Sequence, residues 1–270
     1  MNNYKNHISR ASYSLIALFS SALISPVFAL SISGGAMTLN IDGSALASAF
    51  THNYLPDRPS FYLEEYFDSV QAVSRTPLQL VTDHIIPGTG KISGIGRQFT
   101  VNSSSTTGLN KATNFNFDPN DLEGTASGEI GLGGAMRFRL NKSFVINPET
   151  GEEETNRAIT GYLSLEYDAD SADPVAGHSG WTIFNHHSFR ADVFNLDNVT
   201  TTQTGGAFTL SGKLALAHGF DHLGGKTGTI VGDFNFQTTV VPVPAAVWLF
   251  ASGLAGLFVS RKRKVLTQPL

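Results

Sequence analysis

Apolar and polar residues alternate with a period of two over much of the middle of this chain, the spacing at which successive side chains of a strand face opposite sides of a sheet. Met37, Leu39 and Ile41 alternate with Thr38 and Asn40, and Asp42-Gly43 supplies the turn that ends the run. Runs of the same kind hold Phe115 and Phe117, then Ile130 and Leu132, then Met136, Phe138 and Leu140, and Gly133-Gly134 is expected to join the last two as a hairpin. A second hairpin is expected around Asn147-Pro148-Glu149-Thr150-Gly151, with Ile159, Leu163, Leu165 and Tyr167 on its return strand. Past a loop over 168–180, strands at 181–184 and 189–196 lead through Thr204-Gly205-Gly206 to Phe208, Leu210, Leu214 and Leu216. These four should face inward together as one arm of a long antiparallel hairpin. A last strand carries Ile230, Phe234 and Phe236.

One segment departs from this period. Tyr62, Leu63, Tyr66, Phe67, Val70 and Val73 recur at helical spacing, which predicts a helix over 61–74 with Glu64, Glu65 and Asp68 on its solvated face and Pro77 preventing continuation. The expected fold is all-β, an antiparallel β-sandwich or jelly roll with this one peripheral helix.

The two ends are apolar without alternation. Lys5 and Arg10 precede an apolar run over 11–24, and Val27-Phe28-Ala29 places modest side chains ahead of Leu30, the pattern of a secretory signal peptide cut between Ala29 and Leu30. The chain then divides into a leader (1–29), a β-rich extracellular domain (30–240), a carboxyl-terminal signal (241–264) and a cytoplasmic end (265–270). In that signal Val241, Pro242, Val243 and Pro244 precede an uncharged run that holds Trp248, Gly253 and Gly256 and closes on Arg261, Lys262, Arg263 and Lys264. As a helix, 243–259 would be about 25 Å long, close to the ~30 Å hydrocarbon core of a bilayer. The basic cluster puts its carboxyl end in the cytoplasm and the body on the other side.

A Pro motif, an apolar helix and a terminal basic cluster in this order resemble the PEP-CTERM sorting signal of exosortase substrates, with Val243 standing where that family's Pro-Glu-Pro core has Glu. The resemblance covers 241–264 only. It implies an exosortase-type membrane processing enzyme as partner and a transient anchor in the inner membrane of a Gram-negative bacterium that makes exopolysaccharide. It further implies release to the cell surface or the extracellular space, and it implies nothing about the fold of the body.

Composition narrows the chemistry. With Cys 0 the domain uses neither disulfides nor thiol catalysis, and a net charge of -4, with its dense basic cluster confined to the tail, offers no field for nucleic acid. Asp168, Asp170 and Asp173 are spaced like hard-cation ligands and form the candidate calcium site, against the alternative of solvated turn residues. Asp118, Asn120 and Glu129 fail as a calcium loop, because Leu122 and Glu123 stand where an oxygen ligand and a glycine are needed. His186 and His187 precede the long hairpin and His218 and His222 follow it, so zinc ligation would require all four at one end of the domain.

Gly177-His178-Ser179-Gly180 is no nucleophile elbow, since Trp181 replaces the second glycine, and Trp181 itself reads as core or as a sugar-stacking ring. Gly94-Ile95-Gly96 reads as a turn or bulge. With no complete catalytic motif and no cofactor beyond the candidate calcium, the expectation is a non-enzymatic cell-surface or extracellular-matrix protein associated with exopolysaccharide. The alternatives are a secreted polysaccharide-acting hydrolase and a carbohydrate- or calcium-binding module.

Overall fold

The computed structural model describes residues 30–50, 60–83, 91–103, 110–140, 157–172, 177–187, 189–204 and 206–242. The expected leader, most of the sorting tail and the turn at 147–151 lie outside them. Among the described residues no helix is long and apolar enough to cross a membrane.

The body, Leu30–Val241, is one compact unit. Its strands are β1 (Leu30–Ile41), β2 (Phe61–Phe67), β3 (Gly94–Val101), β4 (Asn116–Phe117), β5 (Ile130–Leu140), β6 (Arg157–Tyr167), β7 (His178–Asn185), β8 (Ala191–Thr204), β9 (Ala207–Leu216) and β10 (Ile230–Pro242). Eight of them follow one another in the antiparallel order β1-β3-β5-β6-β7-β8-β9-β10, and β10 pairs back onto β1. The expected β-sandwich or jelly roll is therefore replaced by a closed barrel, which leaves no sheet edge along this circuit.

Closure depends on close backbone approach at the seam. A Cβ on Gly232 would lie 2.0 Å from the Asn40 carbonyl oxygen, and one on Gly35 would lie 2.2 Å from that of Gln237. The Asp42 amide donates to the Val231 carbonyl at 2.8 Å, and Asn40 Nδ2 donates to Asp233 Oδ1 at 2.8 Å.

The inward residues are those that the alternation predicts: Met37, Leu39 and Ile41 on β1, and Phe208, Leu210, Leu214 and Leu216 on β9, all buried. Aromatic rings fill the interior. Phe50, Phe61, Phe138, Phe194 and Phe220 pack against one another, with Phe50 stacked on Phe61 at 3.9 Å between centroids, and Phe115, Phe117, Trp181 and Phe208 form a second group. Gly133-Gly134 does not turn a hairpin. It is an irregularity inside the continuous strand β5, where that strand passes from pairing with β3 (Thr100 opposite Gly133) to pairing with β2 (Phe67 opposite Ala135).

The predicted helix over 61–74 is overturned. Residues 61–67 form β2, and helix begins only after Asp68, whose side chain caps the short α2 (Ser69–Val73) in a reciprocal capping box with Gln71. Thr76 and Pro77 open a second short helix, α3 (Pro77–Thr82); α1 (Gly43–Ser48) and α4 (Leu122–Thr125) complete the set among the described residues. The helical spacing in the sequence arises from a register shift between Leu63 and Glu65. Before the bulge Phe61 and Leu63 enter the barrel core. Past it Tyr66 packs against that core while Phe67 joins a smaller outer core with Ala72, Leu80, Ala135, Ile159 and Tyr162. One inserted residue thus converts a period of two into spacings of three and four.

Glu64 and Glu65 are accordingly buried rather than solvated, at 2% and 1% exposure. The bulge turns both toward the outer face, where Arg137 lies fully buried: its Nε donates to Glu64 Oε2 at 2.7 Å, and its Nη2 is 3.6 Å from Glu65 Oε2. Arg137 Nη1 also donates to the carbonyls of Leu80, Val81 and Asp83, the end of α3 whose carbonyls have no partner within the helix.

Candidate functional site

Where one barrel end meets the loop that carries α4, an open cleft of about 430 Å³ is lined by Asn120, Asp121, Leu122, Glu123, Tyr167, Ser179, Trp181, Val199 and Thr201. This lies within the range typical of small-molecule sites, which favour the mouths of barrels. Each wall has a local cause. Asp118 Oδ1 accepts from the Asn120 amide at 2.9 Å and Asp121 Oδ1 from the Gly124 amide at 3.0 Å, two side-chain caps that hold 118–124 as a rigid rim. β6 and β7 pair Tyr167 with Trp181, whose rings lie 5.0 Å apart at 52°. Burial, then the charges of Glu123 and Asp168, raises the Tyr167 phenol above its ordinary pKa, so it remains a neutral donor.

Trp181 is 2% exposed and belongs to the core, while also lining the cleft. Ser179 donates its hydroxyl to the Leu196 carbonyl and not to His178, whose Nδ1 instead faces Asp197 Oδ1 at 2.8 Å. From His178 on this stretch is strand, with its polar groups engaged across β8.

A second cluster sits outside the barrel at the β5, β6 and β7 positions. Ile130 pairs with Leu165, which places Glu129 beside Glu166, and His186 follows the last residue of β7. Ligand atoms of Glu129, Glu166 and His186 lie within 4.8 Å of one another, a donor set that suits a divalent cation. His186 Nε2 is 2.8 Å from Ser164 Oγ, 3.3 Å from Glu129 Oε2 and 3.6 Å from Glu166 Oε1. The side-chain bond to His186, aided by that from Ser164, lowers the Glu166 pKa against the cost of burial. The Lys111 ammonium stands 2.6 Å from Glu129 Oε1, so the patch already carries a cation. Hydroxyl and carboxylates converge on the same ring nitrogen, whereas a nucleophilic triad needs them on opposite nitrogens.

The candidate calcium residues are held otherwise. Asp168 caps a 3₁₀ turn, its two oxygens taken by the Asp170 amide at 3.0 Å and the Ser171 hydroxyl at 2.7 Å, and the hydroxyl bond followed by the amide bond lowers its pKa. Asp170 is exposed, and Asp173 lies outside the described residues. The four histidines part company: His186 joins the acids, His187 packs at 5.4 Å on Tyr162, His218 faces Asp192 at 3.7 Å, and His222 packs on Phe189. Of the sorting residues, Val241 is exposed at the end of β10, which includes Pro242; Val243, Pro244, Trp248 and Arg261, Lys262, Arg263 and Lys264 lie outside the described residues, as does Ala29, while Leu30 opens β1 and is buried.

Sequence reasoning did not find the cleft, because its walls come from positions as far apart as Asn120 and Thr201. Nor did it find the Glu129, Glu166 and His186 group, which only the register of β5 on β6 makes adjacent. No family model and no curated protein matches this chain. Among solved structures, the C-terminal domain of HtaA from Corynebacterium glutamicum is similar over 78% of this chain and 99% of that one, with 11% sequence identity and a TM-score of 0.32.

Proposed function

We propose that this chain is an exported, exosortase-sorted, non-enzymatic protein of the cell surface or extracellular matrix, whose barrel body associates with exopolysaccharide. The observation that supports this proposal is that the barrel closes on itself within one compact unit. The compact unit spans Leu30–Val241, and the sequence independently puts signal-peptide cleavage between Ala29 and Leu30 and opens the sorting signal at Val241. A barrel closed between those points keeps its paired strands when both ends are cut away. Mixed charge of small net value and exposed polar side chains such as Thr201, Thr202, Gln203, Asn235 and Gln237 also suit a hydrated polysaccharide matrix.

The direct test is co-sedimentation of the full-length protein with native exopolysaccharide. Retention that is lost after enzymatic digestion of the polysaccharide is expected. Equal recovery from polysaccharide-free supernatant would refute the association.

A further inference from the structure

We propose that the cleft at the barrel mouth binds an amino sugar: a pyranose ring bearing a free ammonium group, presented within an oligosaccharide. Three features of the lining converge on that chemistry. The Tyr167 ring, half-buried and tilted against Trp181, supplies a flat apolar wall of the kind on which a sugar ring or a cation rests. Asp121 and Glu123 add two carboxylates to the lining, and its described residues include no Lys, Arg or His to neutralise them. The third feature is the Trp181 side chain. It is nine-tenths buried, its backbone amide is bonded to Ser179 Oγ at 3.2 Å, and its indole N–H meets no acceptor among the described residues, which leaves one directional donor for a ligand oxygen.

These features discriminate between ligand classes. A neutral sugar would use the ring wall and the indole donor but would gain nothing from two uncompensated carboxylates. A bare metal ion would use the carboxylates and waste the aromatic wall. An anionic sugar would be repelled, because Asp168 adds its charge near Tyr167. An ammonium group on a hydroxylated ring uses all three, through charge-assisted hydrogen bonds to Glu123 and Asp121, contact with Tyr167, and acceptance from the Trp181 indole by a ring hydroxyl. The polar remainder, Asn120 and Thr201, is suited to further hydroxyls. The chemistry of the cleft does not depend on the sorting signal; only the source of the ligand, a matrix polysaccharide with deacetylated residues, rests on the proposed function.

The chain has Trp 2, at positions 181 and 248, so a Trp248→Phe variant of the full chain in detergent micelles reports on Trp181 alone. Its emission is titrated with a glucosamine tetramer, with the N-acetylated tetramer and with spermine. The expected result is a saturable change with the glucosamine tetramer, and binding weaker by about tenfold or more for the other two. Glu123→Gln in the same background should weaken glucosamine binding by about tenfold. Tyr167→Ala should abolish it, and Thr202→Ala, outside the cleft, should leave it unchanged. Equal binding of the N-acetylated tetramer, equal binding of spermine, no response to any ligand, or an unaffected Glu123→Gln variant would each overturn the assignment. None of these outcomes bears on processing of the chain ends, which is read from mass.

Discussion

Arg137 and Glu64, 73 residues apart in the chain, meet with a 2.7 Å bond between Nε and Oε2, the guanidinium side chain 0% and the carboxylate side chain 1% exposed. Arg157 donates to the same carboxylate from Nε at 2.8 Å and from Nη2 at 3.2 Å, and Arg139 from Nη1 at 3.1 Å. Arg137 also ties down the end of α3, so a single side chain links β2, β5 and the helix that covers the outer core. Burying these charges is costly, and the pair contributes to stability only while both members are present.

Arg137→Met should therefore destabilise the fold by about 3–5 kcal/mol, measured by urea denaturation, because it leaves Glu64 short of a donor and uncaps α3. The double variant Arg137→Met with Glu64→Leu should recover much of that loss. Additive effects in this double-mutant cycle would show that the two side chains act separately.

Acid should act through the same carboxylate. Burial opposes ionisation of Glu64, but Arg157 and Arg137 outweigh it and hold the pKa below the ordinary 4.5. In the unfolded chain Glu64 takes up its proton near that ordinary value, before the folded state does. Its contribution is therefore complete above about pH 4.5 and is lost as pH falls through the lower, folded value. Thermal melts should show stability declining below pH 4.5, with a visibly shallower decline in Glu64→Gln. Parallel pH profiles for the two proteins would contradict the assignment.

Tyr162 tests the outer core. It has a φ of 52°, a backbone conformation that non-glycine residues rarely adopt, and its buried hydroxyl has no hydrogen-bond partner among the described residues. Burial raises its pKa, so the phenol is neutral and the unmet bond is the main cost. Tyr162→Phe should keep the packing against His187 and leave stability equal or higher by about 1 kcal/mol. A loss above that size in denaturant unfolding would mean that the hydroxyl has a partner.

The period-two runs made the strands legible: the inward faces of β1 and β9 can be read directly from Met37, Leu39 and Ile41 and from Phe208 to Leu216 in steps of two. Closure could not be read, because alternation is the same in a sandwich and a barrel; what distinguishes them is contact between Gly35 or Gly232 and a strand at the other end of the body. The error at 61–74 has a definite cause, since a bulge beside Glu64 imitates helical spacing and hides two buried acids among apparent surface charges. Glu129 and Glu166 became neighbours only through strand register, and the cleft joins α4 to β6, β7 and β8, relations that no local pattern encodes.

The central proposal is that the barrel is what remains after both ends are removed, and the intact mass of the protein recovered from the cell surface tests it most directly. The expected species begins at Leu30 and ends close to Pro244. A recovered species that retains Met1, or that retains Arg261, Lys262, Arg263 and Lys264, would contradict it.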